Sequence, residues 1–176
     1  FAESVAEYEA RGLVTRRQFG VLLAAAAAMM LPEIANAQPT SEREVEIKTT
    51  DGTCDAYFVH PASGTGAGVL IWPDIFGLRP ALRTMAKRLA GSGYSVLVVN
   101  PFYRVGKPTA TGATPIPEML PFRKGMSPAT DMSDAKTFVA WLDAQPQVNK
   151  NRKVGVQGYC MGGPMSFHTA SAVPGR

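Results

Sequence analysis

The chain of 176 residues holds only two cysteines, Cys54 and Cys160, and two histidines, His60 and His168. So few thiols and imidazoles exclude a disulfide-dense scaffold, and no His/Cys/Asp cluster has the spacing of metal ligands. Basic residues outnumber acidic ones by 18 to 14, yet no basic run is longer than a pair (Arg16-Arg17, Lys87-Arg88, Arg123-Lys124, Arg152-Lys153). Charge scattered in this way, without interleaved aromatics, reads as solvated surface and excludes a nucleic-acid footprint. The longest apolar run, Val21–Leu31, has eleven residues, about half of the roughly 20 that a bilayer span needs, so no stable membrane anchor is expected. The glycines of Ser63–Gly68 precede a strand instead of opening a helix, which excludes a phosphate loop. No cofactor is expected.

What is present suits one globular domain, with 45% hydrophobic and 18% charged residues. Residues 1–37 stand apart from it. Arg16-Arg17 followed by Gln18 and Phe19, then the apolar run, then Ala35-Asn36-Ala37, have the layout of a twin-arginine export signal cleaved after Ala37. This implies the twin-arginine export machinery as a partner and a periplasmic or secreted location for residues 38–176. The chain opens on Phe1 and closes at Arg176, sixteen residues beyond Cys160, so both ends are expected to be cut. An oxidising compartment would let Cys54 and Cys160 pair, and a paired Cys160 could not act as a nucleophile.

Within the domain, Arg43–Thr49 alternates polar and apolar residues, and Asp51-Gly52 turns the chain into Thr53–His60, predicting two antiparallel strands. The short apolar runs "VLIW" before Pro73 and "YSVLVVN" at Tyr94–Asn100 read as strands buried on both faces, and Val154–Gln157 as another. Leu82, Met85, Ala86 and Leu89 fall at helical spacing between Pro80 and Ala90, with Gly91-Ser92-Gly93 as the stop. Ala135, Phe138, Val139 and Leu142 mark a second helix starting near Pro128. Between them lies a long loop, Pro101 to Ser127, a candidate binding segment. Strand, helix, strand, helix, strand and a nascent helix predict an α/β protein with a mainly parallel sheet, flanking helices and an N-terminal antiparallel strand pair.

The stretch "VGVQGYCMGG", residues 154–163, then places Cys160 where the chain leaves a strand and enters a helix. Such a bend projects one side chain above the carboxyl edge of the sheet, and Gly158 and Gly162 leave room for it. The helix behind it presents free N–H groups and a positive dipole end to the sulfur, which favours thiolate. A second loop, "WPDIFGLRP" at residues 72–80, follows the "VLIW" strand. Backbone N–H groups of Ile75 and Met161 are the candidate oxyanion donors, each worth about 3–4 kcal/mol to a tetrahedral intermediate.

These residues resemble the dienelactone hydrolase family, the cysteine branch of the α/β-hydrolases also called carboxymethylenebutenolidases. The resemblance runs from about Val45 to the end and is carried by GYCMGG at 158–163, IFG in the 74–78 loop, the approach "AQPQV" to "RKVGVQG", and "NPFYR" at 100–104. It implies a partial α/β-hydrolase fold in which Cys160 attacks a small, dienelactone-like ester or lactone and passes through a thioester that water hydrolyses. Asp74 stands where the family usually has a glutamate that contacts the resting thiol, and is one methylene shorter. Arg104, directly after Tyr103, stands one residue earlier than the family's arginine for the substrate carboxylate; both are candidate substrate contacts. A triad acid and base are expected beyond Arg176, leaving these 176 residues inactive by themselves, because His168 lies about 12 Å along the helix from Cys160 and His60, before Pro61, reads as structural. Two other readings stay open: a binding protein that keeps the bend without a triad, and a redox role for Cys160 with Cys54.

Overall fold

β-branched and aromatic runs form five strands, and the positions of proline and glycine set where the helices between them begin and end. The computed structural model describes residues 37–109 and 114–176; the export signal expected over residues 1–37 lies, apart from Ala37, outside the described residues. β1 (Thr40–Thr49) and β2 (Gly52–Pro61) form an antiparallel hairpin with Ile47 opposite Cys54 and Val45 opposite Ala56. β3 (Ala67–Trp72), β4 (Tyr94–Val99) and β5 (Gly155–Gly158) complete one sheet in the order β1-β2-β4-β3-β5. β3 pairs in parallel with both β4 and β5, and β2 pairs antiparallel with β4. Only β2 therefore runs against the other strands, in accord with the mainly parallel sheet and N-terminal antiparallel pair expected above.

Helix α1 (Pro80–Gly91) starts on a proline, whose missing N–H would be unpaired at that position anyway. Helix α3 (Pro128–Asp143) also starts on proline and is capped by Ser127, whose hydroxyl accepts from the Thr130 N–H at 3.2 Å while Thr130 Oγ1 accepts from the Ser127 N–H at 2.8 Å. The segment between β4 and α3, expected as open loop, contains a short helix α2 (Ile116–Met119) and a 3₁₀ turn (Leu120–Arg123). Pro115, Pro117 and Pro121 break the apolar periodicity there, so sequence spacing gave no helical signal. Helix α4 (Gly162–Ala172) follows β5.

Period-two alternation divides the core between the two faces of the sheet. Tyr57, Val59, Val69, Ile71, Val96 and Val98 pack against Leu82, Ala86 and Ala90 of α1. Ala56, Phe58, Leu70, Trp72, Leu97 and Val99 point the other way, onto Ala135, Phe138 and Leu142 of α3 and Met165 of α4. The crossover from β3 to β4 thus uses one face and the crossover from β4 to β5 the other. β5 returns to the far side of β3, which makes the carboxyl ends of β3 and β5 a topological switch point, where open α/β sheets bind ligands.

Phe138 is fully buried with its ring 5.6 Å from that of Trp72. Phe138→Ala should lower unfolding stability by about 3–5 kcal/mol, read as an earlier midpoint in urea; a shift under about 1 kcal/mol would mean that α3 is not packed on the sheet as described.

Candidate active site

At the switch point the chain turns from β5 into α4 through Cys160, the only non-glycine among the described residues with positive φ, at +50°. An L-residue enters that region at a cost of about 1–3 kcal/mol, which the neighbouring packing must offset. A Cβ on Gly158 would overlap the carbonyl of Gly162 and the hydroxyl of Ser166, and a Cβ on Gly162 would overlap the carbonyl oxygen of Trp72 and come within 2.7 Å of that of Pro73. The bend is held by N–H groups of Tyr159, Gly162 and Gly163 donating to the carbonyls of Trp72 (3.2 Å), Tyr159 (2.8 Å) and Cys160 (3.0 Å). The thiol of Cys160 is exposed and free.

The loop after β3 faces this bend. Ile75 and Met161 pack into one small apolar cluster with Phe102 and Met119, so the structure brings together the two residues expected to supply oxyanion donors. Among the described residues, neither of their backbone N–H groups donates to another protein group. Asp74 is held within its own loop: its Oδ1 accepts from the Phe76 N–H at 3.0 Å, and Arg79 donates to Oδ1 at 2.5 Å and to Oδ2 at 2.7 Å. No hydrogen bond joins Asp74 to Cys160 among the described residues. The only mark of Arg79 in the sequence is an acid and an arginine five residues apart across "IFGL".

Tyr103 and Arg104 belong to a separate ionic cluster. Arg104 donates from Nε and Nη2 to Asp51 Oδ2 (2.8 and 2.6 Å) and from Nη1 and Nη2 to Asp134 (both 2.8 Å), with its guanidinium 4.5 Å from the centroid of the Tyr103 ring. The Tyr103 hydroxyl donates to Asp134 Oδ1 at 2.8 Å and accepts from Thr49 Oγ1 at 2.9 Å. Burial works against the guanidinium's charge, but the bonds to Asp134 and Asp51 outweigh it and hold its pKa above the usual arginine range. Burial, helped by Asp134, pushes the Tyr103 phenol upward as well.

His168 places Nδ1 3.0 Å from Asp131 Oδ2 across α4 and α3. Burial pushes the Asp131 carboxyl up, against the opposite pull of His168. His60 is buried, with Nδ1 2.7 Å from the carbonyl oxygen of Pro61. Cys54 is buried with its thiol directed at the carbonyl of Asn100 (3.3 Å), and burial pushes its pKa strongly up. Both cysteines are free in the structure. No described helix is long and apolar enough to cross a membrane.

A strand, a left-handed bend bearing an exposed nucleophile-type side chain, and a helix starting behind it at the switch point of a mainly parallel sheet define the α/β-hydrolase fold. The model of the dienelactone hydrolase family matches residues 54–175, and the chain belongs to that family. A carboxymethylenebutenolidase of Rhodococcus opacus is 30% identical over 145 residues, 81% of this chain and 54% of its own length. Carboxymethylenebutenolidase 1 of Cupriavidus pinatubonensis is 26% identical over 132 residues, 72% of this chain and 55% of its own. A solved structure of a dienelactone hydrolase-like promiscuous phosphotriesterase from metagenomic libraries is similar at a TM-score of 0.61 and 25% identity, covering 74% of this chain and 54% of that one. The chain spans about half the length of the curated relatives it matches.

Two outcomes are expected. At pH 8, iodoacetamide should label the native chain at Cys160 and leave Cys54 unmodified until denaturant is added, as read by peptide mass; native labelling of Cys54 would contradict its burial. Asp134→Ala should cost about 2–4 kcal/mol in urea unfolding, because it leaves the shielded Arg104 with Asp51 alone, and a neutral effect would mean that the cluster adds nothing to the fold.

Proposed function

We propose that the chain carries the nucleophile and oxyanion elements of a hydrolase for small esters or lactones, with Cys160 as the nucleophile. The observation that carries the reading is the exposed thiol held on left-handed backbone at the switch point, followed by the unclaimed Met161 amide, with Ile75, whose amide is also unclaimed, packed in the same apolar cluster as Met161. Strain concentrated at one side chain on an otherwise regular sheet is a mark of function, since packing alone would place a small residue there without it. The carboxymethylenebutenolidases among its relatives support a lactone or ester as the substrate class.

The thiol loses its proton to solvent, and the thiolate forms an S–C bond to the substrate carbonyl carbon. The carbonyl π electrons move onto oxygen, where the N–H groups of Ile75 and Met161 stabilise the charge. Collapse of this intermediate breaks the ester C–O bond; the alkoxide leaves and takes a proton from water, or stays tethered in a lactone. Water then attacks the thioester carbonyl, releasing the carboxylic acid and restoring the thiol. The charge arriving on oxygen is met by fixed dipoles, which need no reorganisation at that moment. Residues 1–37 are read as a twin-arginine export signal that delivers this domain to the periplasm or the exterior, on the strength of Arg16-Arg17, the apolar run and Ala35-Asn36-Ala37.

With p-nitrophenyl acetate as substrate, Cys160→Ala in the whole protein should lower p-nitrophenolate release at least about 10³-fold, and the acetyl group should be found on Cys160 of the whole wild-type protein. Release that persists unchanged in Cys160→Ala would refute the assignment.

A further inference from the structure

Asp74 consumes the donors around the Ile75 amide. Of the three consecutive N–H groups that follow it, those of Phe76 and Gly77 are taken by Asp74 itself, the first by its carboxylate at 3.0 Å and the second by its carbonyl at 3.0 Å, with Gly77 at φ +72°. The Ile75 amide alone remains unclaimed. The carboxylate is in turn fixed by both terminal nitrogens of Arg79, and each side chain of the pair is 19% exposed, so solvent screens the pair weakly.

The position of Arg79 is a second, independent observation. It is the N-cap residue of α1, a place that favours serine, threonine, aspartate or asparagine, and it makes no side-chain cap bond. An arginine cannot accept the orphan helix N–H groups, and this one turns its guanidinium back to Asp74 and 5.4 Å from the Phe76 ring centroid. A cap worth about 1 kcal/mol is forgone, and what the chain has instead is the two-point Arg79–Asp74 pair across the loop after β3.

Resting on the hydrolase reading above, we propose that Asp74 and Arg79 are positioning residues that shape the β3 loop so that the Ile75 amide is left free as an oxyanion donor. Asp74 then acts through the loop and not on the thiol. The two roles separate by chemistry: acylation of Cys160 builds an oxyanion, whereas alkylation by iodoacetamide displaces iodide at a saturated carbon and builds none.

The test measures both rates at Cys160 on the same preparations of the whole protein, by peptide mass, with p-nitrophenyl acetate and with iodoacetamide. Asp74→Ala should slow acylation about 10- to 100-fold and leave alkylation within about twofold. Asp74→Asn, which keeps the acceptor for Phe76 but loses the charge pairing, should slow acylation by a smaller factor, about three- to tenfold, and Arg79→Gln likewise. Equal changes of both rates in Asp74→Ala would place the carboxylate on the sulfur and overturn the proposal, as would acylation unchanged in Asp74→Ala. Should Asp74→Ala fail to fold, Arg79→Gln decides alone, and unchanged acylation in it overturns the proposal. A whole wild-type protein that is alkylated but never acylated at Cys160 would sink the hydrolase reading and this inference with it, whereas normal wild-type acylation with insensitive variants sinks this inference only.

Discussion

The structure turns on one close approach of backbone to backbone, where the start of α4 lies on the last residues of β3. Gly162 meets the carbonyls of Trp72 and Pro73 at a distance that no Cβ could tolerate, and Gly158 meets Gly162 in the same way. Because these contacts use the main chain, side-chain repacking cannot relieve them. They force the intervening residues into a bend tight enough to hold Cys160 at φ +50°, and the same contact fixes how far the loop after β3 stands from the bend. The strain at Cys160 and the pairing of the two amide-bearing loops thus have a single cause.

The sheet supplies the stiffness that such a contact needs. Each central strand is buried on both faces, with α1 covering one and α3 with α4 the other. Moving the end of β3 by a fraction of an ångström would disturb Trp72, which packs on Phe138 and donates its indole N–H to Thr169 of α4 at 2.9 Å. One residue therefore belongs to the strand preceding the Asp74–Gly77 loop and to the packing of the helix that follows Cys160. Ile75, Phe102, Met119 and Met161 close the carboxyl end of the sheet with a smaller apolar cluster, drawing the loops after β3, β4 and β5 together.

How far this was legible depends on whether the determinant is local. The strands and the two long helices follow from period-two and 3.6-residue patterns carried by consecutive residues, and Gly158-Tyr159-Cys160-Met161-Gly162 announces the bend because glycine is needed within the bend itself. What the sequence left out is long-range. Nothing local places Arg104 beside Asp51, 53 positions away, and Asp134, 30 away, or says that a guanidinium following Tyr103 is already occupied. The place of Asp74 before IFG points to the thiol; its partner Arg79 is close in sequence but sits at a helix start, where capping rules give no reason to look for an arginine. The helix α2 was hidden because three prolines interrupt the pattern by which helices are recognised.

The occupied state of Arg104 decides how much of its charge is uncommitted. Its two carboxylate partners differ: the Asp134 side chain is 4% exposed and also accepts from Tyr103, while that of Asp51 is 43% exposed and lies on the β1–β2 turn. Displacing Asp134 would strand a buried charge at a cost of about 3–5 kcal/mol, a loss of two to four decades in affinity. Displacing Asp51 returns a carboxylate to water, where the pair is worth about 1 kcal/mol or less. The Asp51 side is therefore the less costly of the two at which this guanidinium could exchange partners. Asp134 and the Tyr103 ring hold the arginine from the buried side, so the geometry of the cluster leaves its charge least committed toward the β1–β2 turn.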